Sequence, residues 1–190
     1  MKIGIYGGTF DPIHNGHLIL ARDAVEKLGL DEIVFVPNSV SPHKYTGKAP
    51  PSALRYEMLC AAIAGEPRFK ASDIELRRGG ISYTIDTVLA LKGQYPPGTT
   101  ICFLVGVDNV RELNSWRKID ELKSLAEFVV LNRKSRDPAN PQAQQLGRRI
   151  DISATEIRER VAKSESIRYL VPDAVLQIID RHHLYKESPH

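Results

Sequence analysis

Apolar positions along this chain follow two different periods. Short β-branched or aromatic runs bounded by turn residues cover residues 2–6, 32–36, 69–76, 100–105, 127–131 and 149–152, and these predict strands. Helical spacing fills the intervals. Residues 17–28 set Leu18, Ala21, Val25 and Leu28 on one face, and residues 53–64, 84–92, 154–162 and 172–181 show similar patterns. Strand and helix in alternation predict an α/β fold, a Rossmann-like doubly wound parallel sheet of order 3-2-1-4-5 with a short additional strand. The runs KIGIY and TICFLV are the most apolar, as central strands covered on both faces require. Ligands of such sheets bind where the first and fourth strands part at their carboxyl ends, which selects Gly7-Gly8-Thr9 and Gly106-Val107-Asp108.

Three stretches, beginning at Pro37, Lys92 and Asn132, have neither period. Each is followed by material needed to finish the same sheet, so residues 1–190 read as a single domain. The first stretch is long for a connection in a compact domain and reads as a lid over the crevice. Composition changes this picture little. A hydrophobic share of 42% and a charged share of 26% argue against both disorder and a membrane span. Lys and Arg number 26 against 23 Asp and Glu, an excess that suits an anionic small molecule and is too weak to argue for nucleic acid. Cys60 and Cys102 lack metal-ligand or CxxC spacing and read as small buried hydrophobes of a reducing compartment, the cytoplasm by default. The first apolar run is too short and too broken by glycine for a signal peptide, and no stretch is long enough to cross a bilayer.

The chemistry concentrates in GGTFDPIHNGHL, from Gly7 to Leu18, between the first strand and the first helix. Gly7 and Gly8 lack Cβ atoms, so the backbone there can turn sharply and approach a bulky anion, while the following helix aims free N–H groups and its positive end at the same place. Neither GxGxxG nor GxxxxGK[ST] occurs. Asn15 or Asp11 can cap the helix, which sets His17 in its first turn and His14 just before it, both able to face one anion. A second helix start lies at Ser153-x-x-Glu156, a capping box with Arg158 about one turn in. His182 and His183 have no metal spacing and take no role, and no residue set is assigned as a metal site.

These segments resemble the HxGH nucleotidyltransferase superfamily, and most closely its bacterial nicotinate-nucleotide adenylyltransferase family. GGTFDPIHNGHL, SPHK (Ser41 to Lys44), SYTIDT (Ser82 to Thr87), GVDN with a later Trp116, ISATEIRER (Ile152 to Arg160) and YLVPDAV (Tyr169 to Val175) recur in that family's order over nearly the whole chain. Two positions depart from it: Ala154 stands where the family commonly has Ser, and Ser41 where it has Pro or similar. Ala154 removes a hydroxyl but keeps the backbone amide.

The resemblance implies adenylyl transfer from ATP to nicotinate mononucleotide, giving the deamido dinucleotide and pyrophosphate. A phosphate nucleophile is already ionised at neutral pH, so the site must bring two polyanions together and neutralise developing charge, with no general base needed. His17, His14, Arg158 and Lys44 are the implied catalytic residues, with His17 donating to the α-phosphate in the transition state. Around ATP the resemblance also sets Gly7, Gly8, Thr9, Phe10, Gly106, Asp108, Ile152, Ser153 and Thr155. Around nicotinate mononucleotide it sets Gly8, Thr9, His43, Lys44, Thr84, Asp108 and Trp116. Mg²⁺ is expected to arrive with ATP, held largely by phosphate and water.

Two rival readings remain in view. Phosphopantetheine adenylyltransferases share a GxFDPxxxGH loop, but they are typically shorter, usually carry Thr at the position of His14 and lack a counterpart of SYTIDT. A catalytically silent nucleotide-binding or RNA-binding module is opposed by intact His14, His17 and Arg158 and by the missing basic-aromatic platform. Nicotinamide mononucleotide is the competing acceptor within the same chemistry. The sequence leaves both monomer and homodimer open.

Overall fold

A computed structural model of the chain describes residues 1–40, 49–106, 112–132, 144–148 and 150–186. The strands are β1 (Lys2–Gly8), β2 (Glu32–Pro37), β3 (Phe69–Ala71), β4 (Thr100–Gly106), β5 (Glu127–Asn132) and β6 (Gln144–Gly147). The helices are α1 (Asn15–Leu28), α2 (Ser52–Ile63), α3 (Ile74–Arg78), α4 (Thr84–Lys92), α5 (Ile119–Leu125), α6 (Ala154–Ala162) and α7 (Asp173–Arg181), with a short 3₁₀ turn at Leu113–Ser115. All strand pairs are parallel, in the order β3-β2-β1-β4-β5-β6. This is the 3-2-1-4-5 arrangement with one short strand added at its edge.

Side chains alternate across β1 and β4 into two separate cores. Ile3, Ile5, Ile101, Phe103 and Val105 pack with α4 and α5 residues on one face, whereas Tyr6, Cys102 and Leu104 pack with α1, α2, α6 and α7 residues on the other. Two buried faces explain why these strands read as continuous apolar runs. Helix α1 buries Leu20, Ala21, Ala24, Val25 and Leu28 and ends on Gly29, whose left-handed φ of 62° lets its N–H bond Val25 O.

Three expectations change. The strand expected over residues 69–76 stops at Ala71, because Asp73 begins helix α3 and Glu75 turns inward to Thr87. The strand expected over residues 149–152 lies earlier, at Gln144–Gly147, where Leu146 enters the core and Arg148 forks onto the buried Asp23 of α1. Ile150 is buried outside the ladder, close to the α1 start at Gly16. Helix α5 has only seven residues and starts from Lys118 in the left-handed region, too short for periodicity to reveal. Cys102 is buried as expected, but Cys60 lies exposed on the outer side of α2, one residue past the inward-facing Met58 and Leu59.

Candidate active site

The first loop leaves the carboxyl end of β1 and is held by long-range hydrogen bonds. Its sharp turn falls at Phe10, with φ of 47°, and not at the glycines, which continue the strand. Gly8 is needed for space: a Cβ there would stand 3.0 Å from the Phe10 ring, which packs edge-on to Tyr6 and His17. Arg55 of α2, only 3% exposed, donates to Thr9 O at 2.6 Å and to Asn38 O at 2.7 Å, tying the ends of β1 and β2 together. Burial pulls its guanidinium below the ordinary value. Asp11 joins the loop to the far end of the chain: its carboxylate accepts from Tyr185 Oη at 2.7 Å, and its carbonyl accepts from Arg158 Nη1 at 2.7 Å. Burial and then the Asp11 carboxylate push the Tyr185 phenol upward.

His14, not Asn15 or Asp11, caps α1. Its backbone N–H donates to His17 Nδ1 at 3.3 Å, and the two imidazole centroids lie 3.7 Å apart. An accepting Nδ1 assigns the proton of neutral His17 to Nε2, making that atom a donor. Gly16 allows this packing, since a Cβ there would meet the His14 ring at 3.0 Å. Asn15, expected as a cap, is the first helical residue and bonds Tyr169 O through its side chain and Leu170 O through its N–H. At the second helix start, Ser153 Oγ accepts the Glu156 N–H at 3.1 Å, while the Glu156 carboxylate pairs with Arg160. Arg158 also donates to Thr155 Oγ1 at 3.2 Å.

Across the crevice, Trp116 packs edge-on against Phe103, centroids 5.8 Å apart, and Tyr83 and Thr84 open helix α4. Glu75 is buried in the wall between them and the sheet, its Oε1 accepting from Thr87 Oγ1 at 2.5 Å. Burial raises its carboxyl above the ordinary value, against the hydrogen bonds from Thr87 and Ser82 and the charge of Arg78.

Groups from both walls border one cavity of about 810 Å³, whereas Arg55, Asn15 and Tyr185 support it from outside its lining. It brings together Gly7, Gly8, Thr9, Phe10, His14 and His17 from the first loop and helix, Ser153, Thr155 and Arg158 from α6, and Thr84, Gly106 and Trp116 from the opposite wall. Ile152 adjoins Ser153 without bordering the cavity. His43, Lys44 and Asp108 lie outside the described residues, as does most of the expected lid. A shallower groove of about 500 Å³ beside Tyr56, Cys60 and Phe69 holds none of the expected residues. Sequence reasoning missed Arg55, Glu75, Tyr83 and Arg117. The one basic residue within the largely apolar ALRYEMLC stretch, and a carboxylate between Ile74 and Leu76, were the available signals for the first two.

Residues 5–160 match the cytidylyltransferase-like family model. The chain is 46% identical to a probable nicotinate-nucleotide adenylyltransferase of Shouchella clausii, over 98% of each chain. It is 41% identical to the nicotinate-nucleotide adenylyltransferase of Bacillus subtilis, over 97% of this chain and 98% of the relative. The chain belongs to the nicotinate-nucleotide adenylyltransferase family. The fold agrees with that of a Plasmodium falciparum nicotinic acid mononucleotide adenylyltransferase complexed with NaAD, at a TM-score of 0.79 and 22% identity over 97% of each chain. Membership of this family makes the chain a nucleotidyltransferase, and the cavity at the β1/β4 switch point is where that fold class takes its ligands. No helix among the described residues is long and apolar enough to cross a membrane.

Proposed function

We propose that residues 1–190 act as one nucleotidyltransferase domain whose cavity transfers the adenylyl group of ATP to nicotinate mononucleotide, a step of NAD biosynthesis. A phosphate oxygen of the acceptor forms a bond to the α-phosphorus, the bond from that phosphorus to the α,β-bridging oxygen breaks, and pyrophosphate leaves with the electron pair. The observation that carries this reading is the convergence of two helix starts, two stacked imidazoles and Arg158 on the rim of one cavity whose other wall is aromatic.

Each group has a task set by its chemistry. His17 Nε2–H donates to the α-phosphate oxygens as charge grows on them, with its tautomer fixed by the His14 amide. His14 and Thr9 steady the triphosphate, and the starts of α1 and α6 add backbone donors and favourable dipoles. Arg158 bonds Asp11 O and Thr155 and retains further N–H groups for the leaving pyrophosphate. Lys44 and His43 add to the phosphate field, and Asp108 accepts from ribose hydroxyls. Thr84 and Trp116 bind the pyridine carboxylate and the ring face. The described wall around Gly8 and Ser153 offers hydroxyls, imidazoles and a guanidinium, which suit phosphate better than a hard cation. Mg²⁺ would come with ATP, held largely by phosphate oxygens and water, and would supply neutralisation of phosphate charge there. The free thiols of Cys60 and Cys102 suit a reducing cytoplasm.

Pyrophosphate release from ATP and Mg²⁺ tests the reading with three acceptors in parallel. Release with nicotinate mononucleotide in preference to nicotinamide mononucleotide and phosphopantetheine is expected. Release with phosphopantetheine alone, or with none of the three, overturns it.

A further inference from the structure

Behind the phosphate rim, the turn that follows α7 reaches into the first loop. His183 and Tyr185 both take left-handed φ values, 49° and 63°, and the Leu184 N–H closes the turn on Ile179 O at 3.0 Å. Residues other than glycine hold that conformation where surrounding contacts fix it. Here Leu184 and Tyr185 pack against the core that α7 shares with α1 and α2, and the phenol donates to the Asp11 carboxylate at 2.7 Å. Asp11 and Arg158 border the cavity, whereas Tyr185 stands behind them.

Asp11 presents two kinds of acceptor to Arg158. Its carbonyl takes the Arg158 Nη1–H at 2.7 Å, which positions the guanidinium without neutralising it. Its carboxylate is a competitor for the same cation: Oδ2 stands 3.9 Å from Nη1, close enough to attract and too far to hydrogen-bond. The Tyr185 hydroxyl engages the other oxygen, Oδ1, and so holds the carboxylate off the fork. Arg55, the other cation close to Asp11, spends its Nη groups on Thr9 O and Asn38 O. The Asp11 side chain is only 13% exposed, so water compensates an unbonded carboxylate poorly. Released by the phenol, that carboxylate has Arg158 within reach, and forking onto it occupies the donors that a polyphosphate needs.

We propose that Tyr185 is a positioning residue for adenylyl transfer: by holding the Asp11 carboxylate, it keeps Arg158 open to the triphosphate and to the pyrophosphate that leaves. The inference rests on the adenylyl-transfer reading and adds to it a restraint supplied from 174 residues along the chain.

The test measures Kd for ATP with Mg²⁺ by calorimetry, and KM for ATP and for nicotinate mononucleotide, in the unaltered chain, Tyr185→Phe, Asp11→Asn and the double variant. Tyr185→Phe keeps the ring packing and loses the hydrogen bond. Its Kd and KM for ATP should rise about tenfold, the scale of one charge-assisted contact, with KM for nicotinate mononucleotide changed less than about twofold. Asp11→Asn removes the competing charge, and in the Tyr185→Phe background it should restore ATP binding to within about threefold of the unaltered chain. A merely structural phenol would weaken both substrates, and a second substitution at Asp11 would not repair the loss. Asp11→Glu makes the same test with Tyr185 intact: its longer side chain reaches the fork, and Kd for ATP should rise severalfold. Unchanged ATP binding in Tyr185→Phe, failure of Asp11→Asn to restore it, or unchanged binding in Asp11→Glu overturns the inference while adenylyl transfer stands. Absence of turnover with every acceptor in the unaltered chain overturns the adenylyl-transfer reading instead, and the Kd series still decides whether Tyr185 restrains Asp11 from Arg158.

Discussion

The phosphate end of the cavity and the pyridine end are built by different means. Around the first loop, hydrogen bonds from buried or half-buried side chains fix the chain: Arg55 holds Thr9 O and Asn38 O, Arg158 holds Asp11 O, and Tyr185 holds the Asp11 carboxylate. Around Trp116 the wall is made of ring contacts, with Phe103 and Phe128 edge-on to the indole and Arg117 stacked on Tyr83. Hydrogen bonds fix donors to within a few tenths of an ångström, which charge stabilisation at a phosphorus requires. Ring packing tolerates small shifts and serves a subsite that must only grip and discriminate. Chemistry and selectivity are therefore expected to separate under mutation.

The largest effect expected is at His17. His17→Ala removes the Nε2 donor and should lower kcat about 10²–10³-fold, read in the pyrophosphate assay with circular dichroism as a check on folding. A loss below tenfold would break the comparison by moving the decisive donor elsewhere.

Arg55 comes next, because it acts on the frame and not on the ligand. Arg55→Met keeps much of the buried stem but leaves Thr9 O and Asn38 O without their donor, and should cost about 2–4 kcal/mol in denaturant unfolding. A cost under about 1 kcal/mol would mean that the loop holds its shape unaided.

The smallest effect sharpens the contrast from the pyridine side. The folded state raises the Glu75 carboxyl through burial, so its protonated form is the one the fold prefers, and the stability this contributes is present below the ordinary value of 4.5 and lost as pH rises through the folded value. Glu75→Gln keeps an acceptor for Thr87 and never ionises. Its melting temperature should match the unaltered chain near pH 4 and gain on it modestly toward pH 7.5. The opposite trend would show that Arg78, Ser82 and Thr87 outweigh burial.

Much of this architecture could be read before any coordinates. The order β3-β2-β1-β4-β5 follows from alternating periods, and the Ser153 cap follows from side-chain chemistry within one turn. Where local reading failed, a distant partner had intervened. The glycines of the first loop suggested a turn, but the turn sits at Phe10 because its ring finds room under Gly8 among Tyr6 and Phe35. The final strand moved to Gln144–Gly147, where the following Arg148 could reach Asp23 on α1.

By itself, then, the sequence determined the strand and helix order, the switch-point location of the site and the two histidines and the arginine that border it. These depend on period and capping, which act over a few residues. Only the tertiary structure decided which side chains hold that site in shape and which cation overhangs its aromatic wall. Asp11 meets Arg158 and Tyr185 across 147 and 174 residues of chain, and Tyr83 meets Arg117 from a different element, so no short stretch carries a trace of either pairing.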